Sequence, residues 1–182
     1  FADYVTGEFQ ATYFYSINCT KPPFDDSRVR RALNLAIDRE AIARDLLKGT
    51  RRAWGRLTPS GYPGYDGPAP IAFEPDSARA ELARGGVPGG KGFPKFSILF
   101  NTSEDHRRIA EAVQAMWRRE LNVPVELQSM EWSSFQQAST TLHYDVARRS
   151  WIGDYLDPST FLTLLMSGNG NNRSGWSDPE YD

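Results

Sequence analysis

The residues with the clearest chemical potential lie in one short segment, where a predicted strand ends and a loop begins. Arg148, Trp151, Asp154 and Tyr155 fall within eight consecutive positions. A carboxylate can pair with an ammonium group, and an arginine fork can pair with a carboxylate. Aromatic rings add apolar walls at low entropic cost. A zwitterion such as a peptide would use all of these groups. The alternative from these residues alone is that Trp151 belongs to the core and the charges form surface pairs.

The position of this segment at a strand end matters because ligands of open α/β sheets bind beyond the carboxyl ends of parallel strands. Strict alternation along a strand would place Arg148 and Trp151 on opposite faces. The two side chains converge only if the strand ends or bulges near Ser150, and the nearby Gly153 is compatible with such a break.

Enzyme chemistry has a simpler structural explanation at each place where the sequence suggests it. Ser103 and His106 lie one helical turn apart, as two members of a nucleophile triad would need, but they also suit a helix cap and a first helical turn. Asp154 and Asp157 resemble a glycosidase carboxylate pair, but Asp157 precedes Pro158 and suits an N-cap. Asp154 is left without a local structural role. We therefore predict that the protein is not an enzyme.

Composition and charge exclude several other classes. A net charge of -2 over 182 residues gives no basic face for nucleic acid. A single cysteine, Cys19, and two histidines cannot form a disulfide within the chain or a Cys/His metal cluster, and no phosphate-binding or dinucleotide fingerprint is present. We predict no cofactor, no metal and no nucleic-acid partner. Paired arginines are interpreted as solvated helix faces, at positions 30–31, 51–52, 107–108, 118–119 and 148–149.

Alternating strand and helix patterns must position the candidate residues, so the predicted class is α/β. Strands are predicted at residues 12–18, 96–100, 123–127 and 144–151, and a Gly/Pro-rich surface loop at residues 54–70. Helices are predicted after Asp25 or Asp26, after Asp38, from Pro75, from Ser103 to Leu121, at residues 132–138 and after Pro158. The unit at about 96–127 is a βαβ crossover, which predicts two parallel strands joined by a right-handed connection.

Several segments, in their order along the chain, also carry a resemblance to a known family. They are residues 13–18, 22–33, 36–39, 101–103, 131–132, 145–148, 151–155 and 157–162. The chain resembles the periplasmic oligopeptide- and dipeptide-binding proteins, which form solute-binding protein family 5 of ABC importers. The match runs from about Tyr13 to the end and corresponds to the larger, C-terminal lobe. The chain begins at Phe1 and stops in a polar stretch, and we interpret residues 1–182 as a single excised ligand-binding lobe without its N-terminal partner lobe.

The resemblance implies a type II periplasmic-binding-protein-like lobe with a mixed central sheet flanked by helices. It implies a receptor that captures oligopeptides or dipeptides between two lobes and passes them to the membrane permease of an ABC importer. The full-length protein is expected to be a monomer, either periplasmic or anchored outside the cytoplasmic membrane. Some relatives carry nickel chelates, haem, opines or sugars, so the identity of the ligand stays open. A hydrolase and a purely structural domain are the alternative classes of protein.

The resemblance also assigns roles to individual residues. Asp154 matches the aspartate that holds the α-ammonium group of the ligand, and Arg148 and His106 match groups that hold its terminal carboxylate. Trp132 and Trp151 match tryptophans that line side-chain pockets.

Tyr155 completes the set of candidate ligand-binding residues. One departure from the family pattern is Ser139, which stands where a second basic residue is expected. That departure leaves open how the ligand carboxylate is held and which peptide length is preferred.

Overall fold

A computed structural model describes residues 9–182 of the chain, and its centre is a four-stranded mixed sheet. The strands are Ala11–Ile17 (β1), Phe96–Asn101 (β2), Val125–Met130 (β3) and Val146–Ile152 (β4), in the order β1-β4-β2-β3. Strand β2 is parallel to both β3 and β4, whereas β1 runs antiparallel to β4. The predicted α/β class and mixed sheet are therefore confirmed.

The helices begin close to the predicted positions. They are Ser27–Leu35 (α1), Arg39–Ala41 (α2), Pro75–Arg84 (α3), Glu104–Leu121 (α4), Trp132–Thr140 (α5) and Ser159–Leu162 (α6). A π-helical turn, Ile42–Leu46, extends α2, and a 3₁₀ turn, Thr163–Leu165, extends α6. The predicted caps Asp26 and Asp38 accept hydrogen bonds from the backbone amides of Arg28 and Ala41. Within the described chain, no helix combines the length and the apolar character that a bilayer crossing needs.

The unit β2-α4-β3 confirms the predicted pair of parallel strands. The second strand, however, begins at Val125 and not at Val123, and it continues to Met130. Proline has no amide proton to give to a ladder, so Pro124 contributes only its carbonyl, which accepts from Phe96 N at 3.2 Å. Val123 is buried against the core before the strand starts.

Apolar side chains bury both faces of the sheet. Ile98 and Val146 face a large cluster formed with α1, α3 and α4, which we call the main core. Leu99 and Ala147 face a smaller cluster under α5, which we call the second core. Alternate residues of β2 and β4 therefore point to different cores, as a strand period of two requires. The loop at residues 54–70 contains no helix or strand, as predicted.

Asn18 fixes the end of β1 against the segment that leads into β4. Its amide nitrogen donates to the carbonyls of Leu142 at 2.9 Å and Tyr144 at 3.0 Å. Its side-chain oxygen accepts from the amide and the hydroxyl of Thr20 at 3.0 and 2.7 Å. Only 1% of Asn18 is exposed, so these partners cannot turn to water instead.

Replacement of Asn18 by alanine is expected to lower the free energy of unfolding by about 2 to 5 kcal/mol, because it leaves buried backbone groups without partners. Urea denaturation of this chain followed by circular dichroism measures the change. Asn171→Ala is the matched control, since Asn171 is exposed, and it should stay within about 0.5 kcal/mol of the parent. Equal effects of the two substitutions would contradict the role given to Asn18.

Candidate ligand-binding site

The turn after β4 is held in place by close packing at Gly153. A methyl group there would lie 3.2 Å from the Tyr62 hydroxyl and 3.3 Å from carbons of Phe161 and Thr160. Tyr62 is buried and packs its ring against Phe161 with centroids 6.3 Å apart. The long surface loop thereby fixes the path by which the chain leaves β4 and reaches Asp154.

Thr160 and Ser159, in the first turn of α6, bring three of the predicted site residues together. Its hydroxyl oxygen accepts from the backbone amide of Asp154 at 3.0 Å and from the indole of Trp151 at 3.4 Å. The hydroxyl of Tyr155 lies 3.2 Å from that of Ser159. Trp151, Asp154 and Tyr155 therefore form one group at the carboxyl end of β4.

The two carboxylates of this turn have different roles. Asp157 accepts a hydrogen bond from the amide of Ser159 at 2.9 Å, and contacts to Ser159 lower the pKa of its carboxyl group. Asp157 thus binds the first amide of α6 as a cap would, but the N-cap position itself is occupied by Pro158. The carboxylate of Asp154 is exposed, and no residue from 9 to 182 makes a hydrogen bond or ion pair with it. It is available to a ligand cation.

A second group of predicted residues surrounds the ring of Tyr13. The guanidinium carbons of Arg148 and Arg51 lie 5.2 and 5.7 Å from the ring centroid. The Tyr13 hydroxyl is 3.5 Å from Nδ1 of His106, and Arg148 Nη1 donates to Asn101 Oδ1 at 3.3 Å. We call these five residues the cationic cluster.

The cationic cluster carries positive charge without a carboxylate to balance it. Within residues 9–182, neither Arg148 nor Arg51 lies within ion-pair distance of an acidic side chain. Burial, followed by the charges of Arg148 and Arg51, lowers the pKa of His106 to about 4, although Asp105 opposes the shift. His106 is therefore neutral near pH 7, and its ring has one donor and one acceptor nitrogen, of which Nδ1 faces the Tyr13 hydroxyl. Such a cluster suits a carboxylate, which arginine binds through paired hydrogen bonds.

Strand β4 separates the cationic cluster from Trp151. The pairing of β1 with β4 has one continuous register, in which Arg148 is opposite Tyr15 and Trp151 is opposite Thr12. The interruption near Ser150 that convergence on one face requires does not occur. Arg148 lies on the face of the main core and Trp151 on that of the second core, as strict alternation demands.

The remaining predicted residues lie on or beside α5. Trp132 is 51% exposed at the start of this helix and stacks on Phe135 with centroids 5.9 Å apart. Ser139 is fully buried in the same helix, and its hydroxyl has no hydrogen-bond partner in the described part of the chain. The helix therefore presents an aromatic ring to solvent but no basic group at position 139.

Three members of the cationic cluster, Arg51, Tyr13 and Asn101, were not predicted as site residues from the sequence. Arg51 was interpreted as part of a solvated helix face, but it follows the π-helical turn and lies over the Tyr13 ring. No local pattern could reveal a contact between residues so far apart in the chain. For Tyr13, the aromatic run within the predicted strand was the only signal.

Residues 2–173 match the sequence profile of the bacterial extracellular solute-binding proteins, family 5, middle region. The chain belongs to solute-binding protein family 5. It is 42% identical over 178 residues to the periplasmic murein peptide-binding protein MppA of Escherichia coli, a match that covers 94% of this chain and 33% of MppA. It is 32% identical over 177 residues to the oligopeptide-binding protein OppA of Bacillus subtilis, covering 93% and 32% of the two chains.

Solved structures of family 5 proteins share the fold. The structure of the Escherichia coli murein tripeptide-binding protein MppA matches with a TM-score of 0.87 at 39% identity, over 96% of this chain and 35% of that chain. Haemophilus influenzae OppA in complex with RPPGFSPFR matches with a TM-score of 0.83 at 33% identity, over 96% and 36%. The type II periplasmic-binding fold is thus confirmed, and the chain spans about a third of the length of these family 5 relatives.

The His106 imidazole is expected to titrate by NMR with a midpoint near 4 instead of the usual 6.5. Because the unfolded chain binds this proton more tightly, the stability contribution of His106 falls as pH drops from about 6.5 towards 4. Arg148→Gln should raise the midpoint by removing a nearby positive charge, and His106→Gln assigns the signal. A midpoint near 6.5 in the parent would contradict the burial of His106 beside the two arginines.

Proposed function

We propose that this chain is the ligand-binding lobe of an extracytoplasmic receptor that captures peptides for an ABC importer. One observation carries the proposal: β4 contributes Arg148 to the cationic cluster, and the turn that follows this strand carries Asp154, whose carboxylate has no partner among residues 9–182. A peptide with free termini has the complementary ammonium and carboxylate groups. Charge-assisted hydrogen bonds at both ends would fix its register.

The pattern of exposed apolar residues supports a second lobe that closes over this one. Ile152, Tyr155 and Leu156 are all large, exposed and close in sequence at the carboxyl end of β4. Such a patch is typical of a surface that meets another body. In this proposal residues 1–182 form one lobe, and the ligand lies between it and an N-terminal lobe. The isolated lobe should bind weakly, since half of the ligand surface stays in water.

A receptor of this kind needs no bond-changing chemistry. Main-chain hydrogen bonds give affinity for any peptide sequence, and bridging waters in roomy pockets tolerate varied side chains. Closure of two lobes is a hinge motion, and the closed form is the state that a membrane permease would recognise. The family is described as extracellular and solute-binding, and MppA as periplasmic, which supports an extracytoplasmic binding protein. In this proposal the full-length protein is a non-enzymatic monomer, either periplasmic or membrane-anchored. Nickel chelates, haem, opines and sugars lack one or both peptide termini. The two predictions below test whether the site binds those termini.

Asp154→Asn in the full-length protein is expected to weaken binding of a free-amine peptide by about ten- to several-thousand-fold, because an ammonium group loses its charged partner. Binding of the N-acetylated peptide, already weak, should change much less. Titration calorimetry of the parent and the variant, each with both peptides, measures the four affinities that the comparison needs. Asp66→Asn, at an exposed loop position, is the matched control. Equal losses for the two peptides would remove Asp154 from the site, and a ligand without a primary amine would replace the peptide.

Arg148→Gln and Arg51→Gln are each expected to weaken binding of a peptide with a free carboxyl terminus by about 10- to 100-fold. The C-terminally amidated peptide should lose much less, because it has no charge for the arginine to bind. Arg108→Gln, which changes an exposed arginine of α4, should leave both affinities unchanged. Equal losses of affinity for the free and the amidated peptide would show that the cationic cluster does not hold the terminal carboxylate.

A further inference from the structure

A second pair of arginines lies on the other face of β4 from the cationic cluster. Arg149 pairs with Phe14 across the sheet and shares a strand face with Trp151, two residues further along. Arg173 follows α6 and donates from Nη1 to Oε1 of Gln136 on α5 at 3.0 Å. We call Arg149 and Arg173 the arginine pair, and both residues are partly exposed.

Tyr144 joins the segment that carries Arg173 to β1, beside the strand of Arg149. Its hydroxyl donates to the backbone carbonyl of Arg173 and lies 3.1 Å from the hydroxyl of Ser16 on β1. Burial raises the pKa of the Tyr144 phenol, and the charges of both Arg149 and Arg173 oppose that shift. One phenol oxygen therefore lies within the electrostatic reach of both arginines.

The arginine pair has no negative partner in the part of the chain that the structure describes. Neither member forms an ion pair with an acidic side chain there. Nη1 of Arg149 and Nε of Arg173 are buried from solvent and have no hydrogen-bond acceptor among residues 9–182. Burial lowers the pKa of Arg149, and the like charge of Arg173 lowers it further. Two unbalanced, half-buried charges of one sign destabilise a fold, and such departures from good packing are typical of functional sites.

The surroundings of the arginine pair point to a side-chain pocket of the ligand site. Gln136 lies one helical turn after Trp132, so both side chains fall on the same side of α5. Arg149 and Trp151 share one face of β4. The arginine pair therefore lies beyond the two tryptophans that the family resemblance assigns to side-chain pockets, deeper along the same helix and the same strand.

We propose that Arg149 and Arg173 bind a carboxylate on a side chain of the ligand, so that the protein selects peptides with an acidic residue. This inference rests on the proposed function, in which Arg148 and Arg51 hold the terminal carboxylate on the other side of β4. Two unbalanced cationic sites then match a ligand with two carboxylates. The planar guanidinium fork binds carboxylate through paired hydrogen bonds, which gives geometric as well as charge selection.

The test uses the full-length protein and tripeptides that carry either Glu or Gln at one position, scanned through all three positions. Each peptide is made with a free and with an amidated carboxyl terminus, and affinities come from titration calorimetry. At one position the parent should bind the Glu peptide about 10- to 100-fold more tightly than the Gln peptide. Amidation should leave that preference in place.

Arg149→Gln and Arg173→Gln should each abolish the Glu preference and keep the affinity for the Gln peptide within about threefold, which also shows that the variants are folded. Arg149→Lys should retain part of the preference, because charge remains while the fork is lost. Arg108→Gln, the exposed control, should behave as the parent does.

Three results would overturn the inference. Equal affinity of the parent for Glu and Gln peptides at every position removes the acidic preference. A preference that survives Arg149→Gln and Arg173→Gln assigns it elsewhere. A loss in these variants that depends only on amidation assigns the arginine pair to the terminal carboxylate. Absence of binding to every peptide would instead contradict the proposed function itself.

Discussion

Seven consecutive residue pairs join β1 to β4, from Ala11 opposite Ile152 to Ile17 opposite Val146. Because no bulge interrupts this ladder, side chains alternate strictly between the two faces of the sheet. Arg148 is therefore on one face, and Arg149 and Trp151 are on the other. A ligand that contacts both sets must pass over the carboxyl end of β4, where the packing of Gly153 fixes the turn to Asp154.

The charges around β4 differ from the paired charges around Arg107. On α4, Arg107 reaches both Glu104 and Glu111 at 2.6 and 2.7 Å. Such exposed pairs contribute little stability. Near β4 the arginines are half-buried and Asp154 is exposed, and none has an opposite charge within the described residues. In the proposed complex, a ligand would supply opposite charges that offset the desolvation cost of these arginines.

Local patterns predicted what local physics determines. The apolar stripe and the acidic cap placed α1 correctly, because both depend on residues within one or two helical turns. The predicted third strand ended too early, because the polar residues Gln128 and Ser129 do not follow a strand pattern. Their pairing with β2 depends on the partner strand and not on their own sequence. Ser103 begins α4 as predicted, yet its side chain makes no capping hydrogen bond.

Strand alternation predicted the separation of Arg148 from Trp151. The contact of Arg51 with Tyr13 depends on tertiary packing, and the roles of Asp154 and His106 came from the family resemblance.

The pairing of β1 with β4 also has a consequence for the order of folding. It joins the first described strand to the last, so almost the whole chain must be present before this ladder can close. Closing so long a loop costs chain entropy that local contacts do not repay, and pairings of this kind form slowly. The βαβ unit and the main-core helices have shorter connections and can assemble earlier. Tyr13 comes from β1 and Arg148 from β4, so the proposed binding surface is completed only when this long-range pairing has formed.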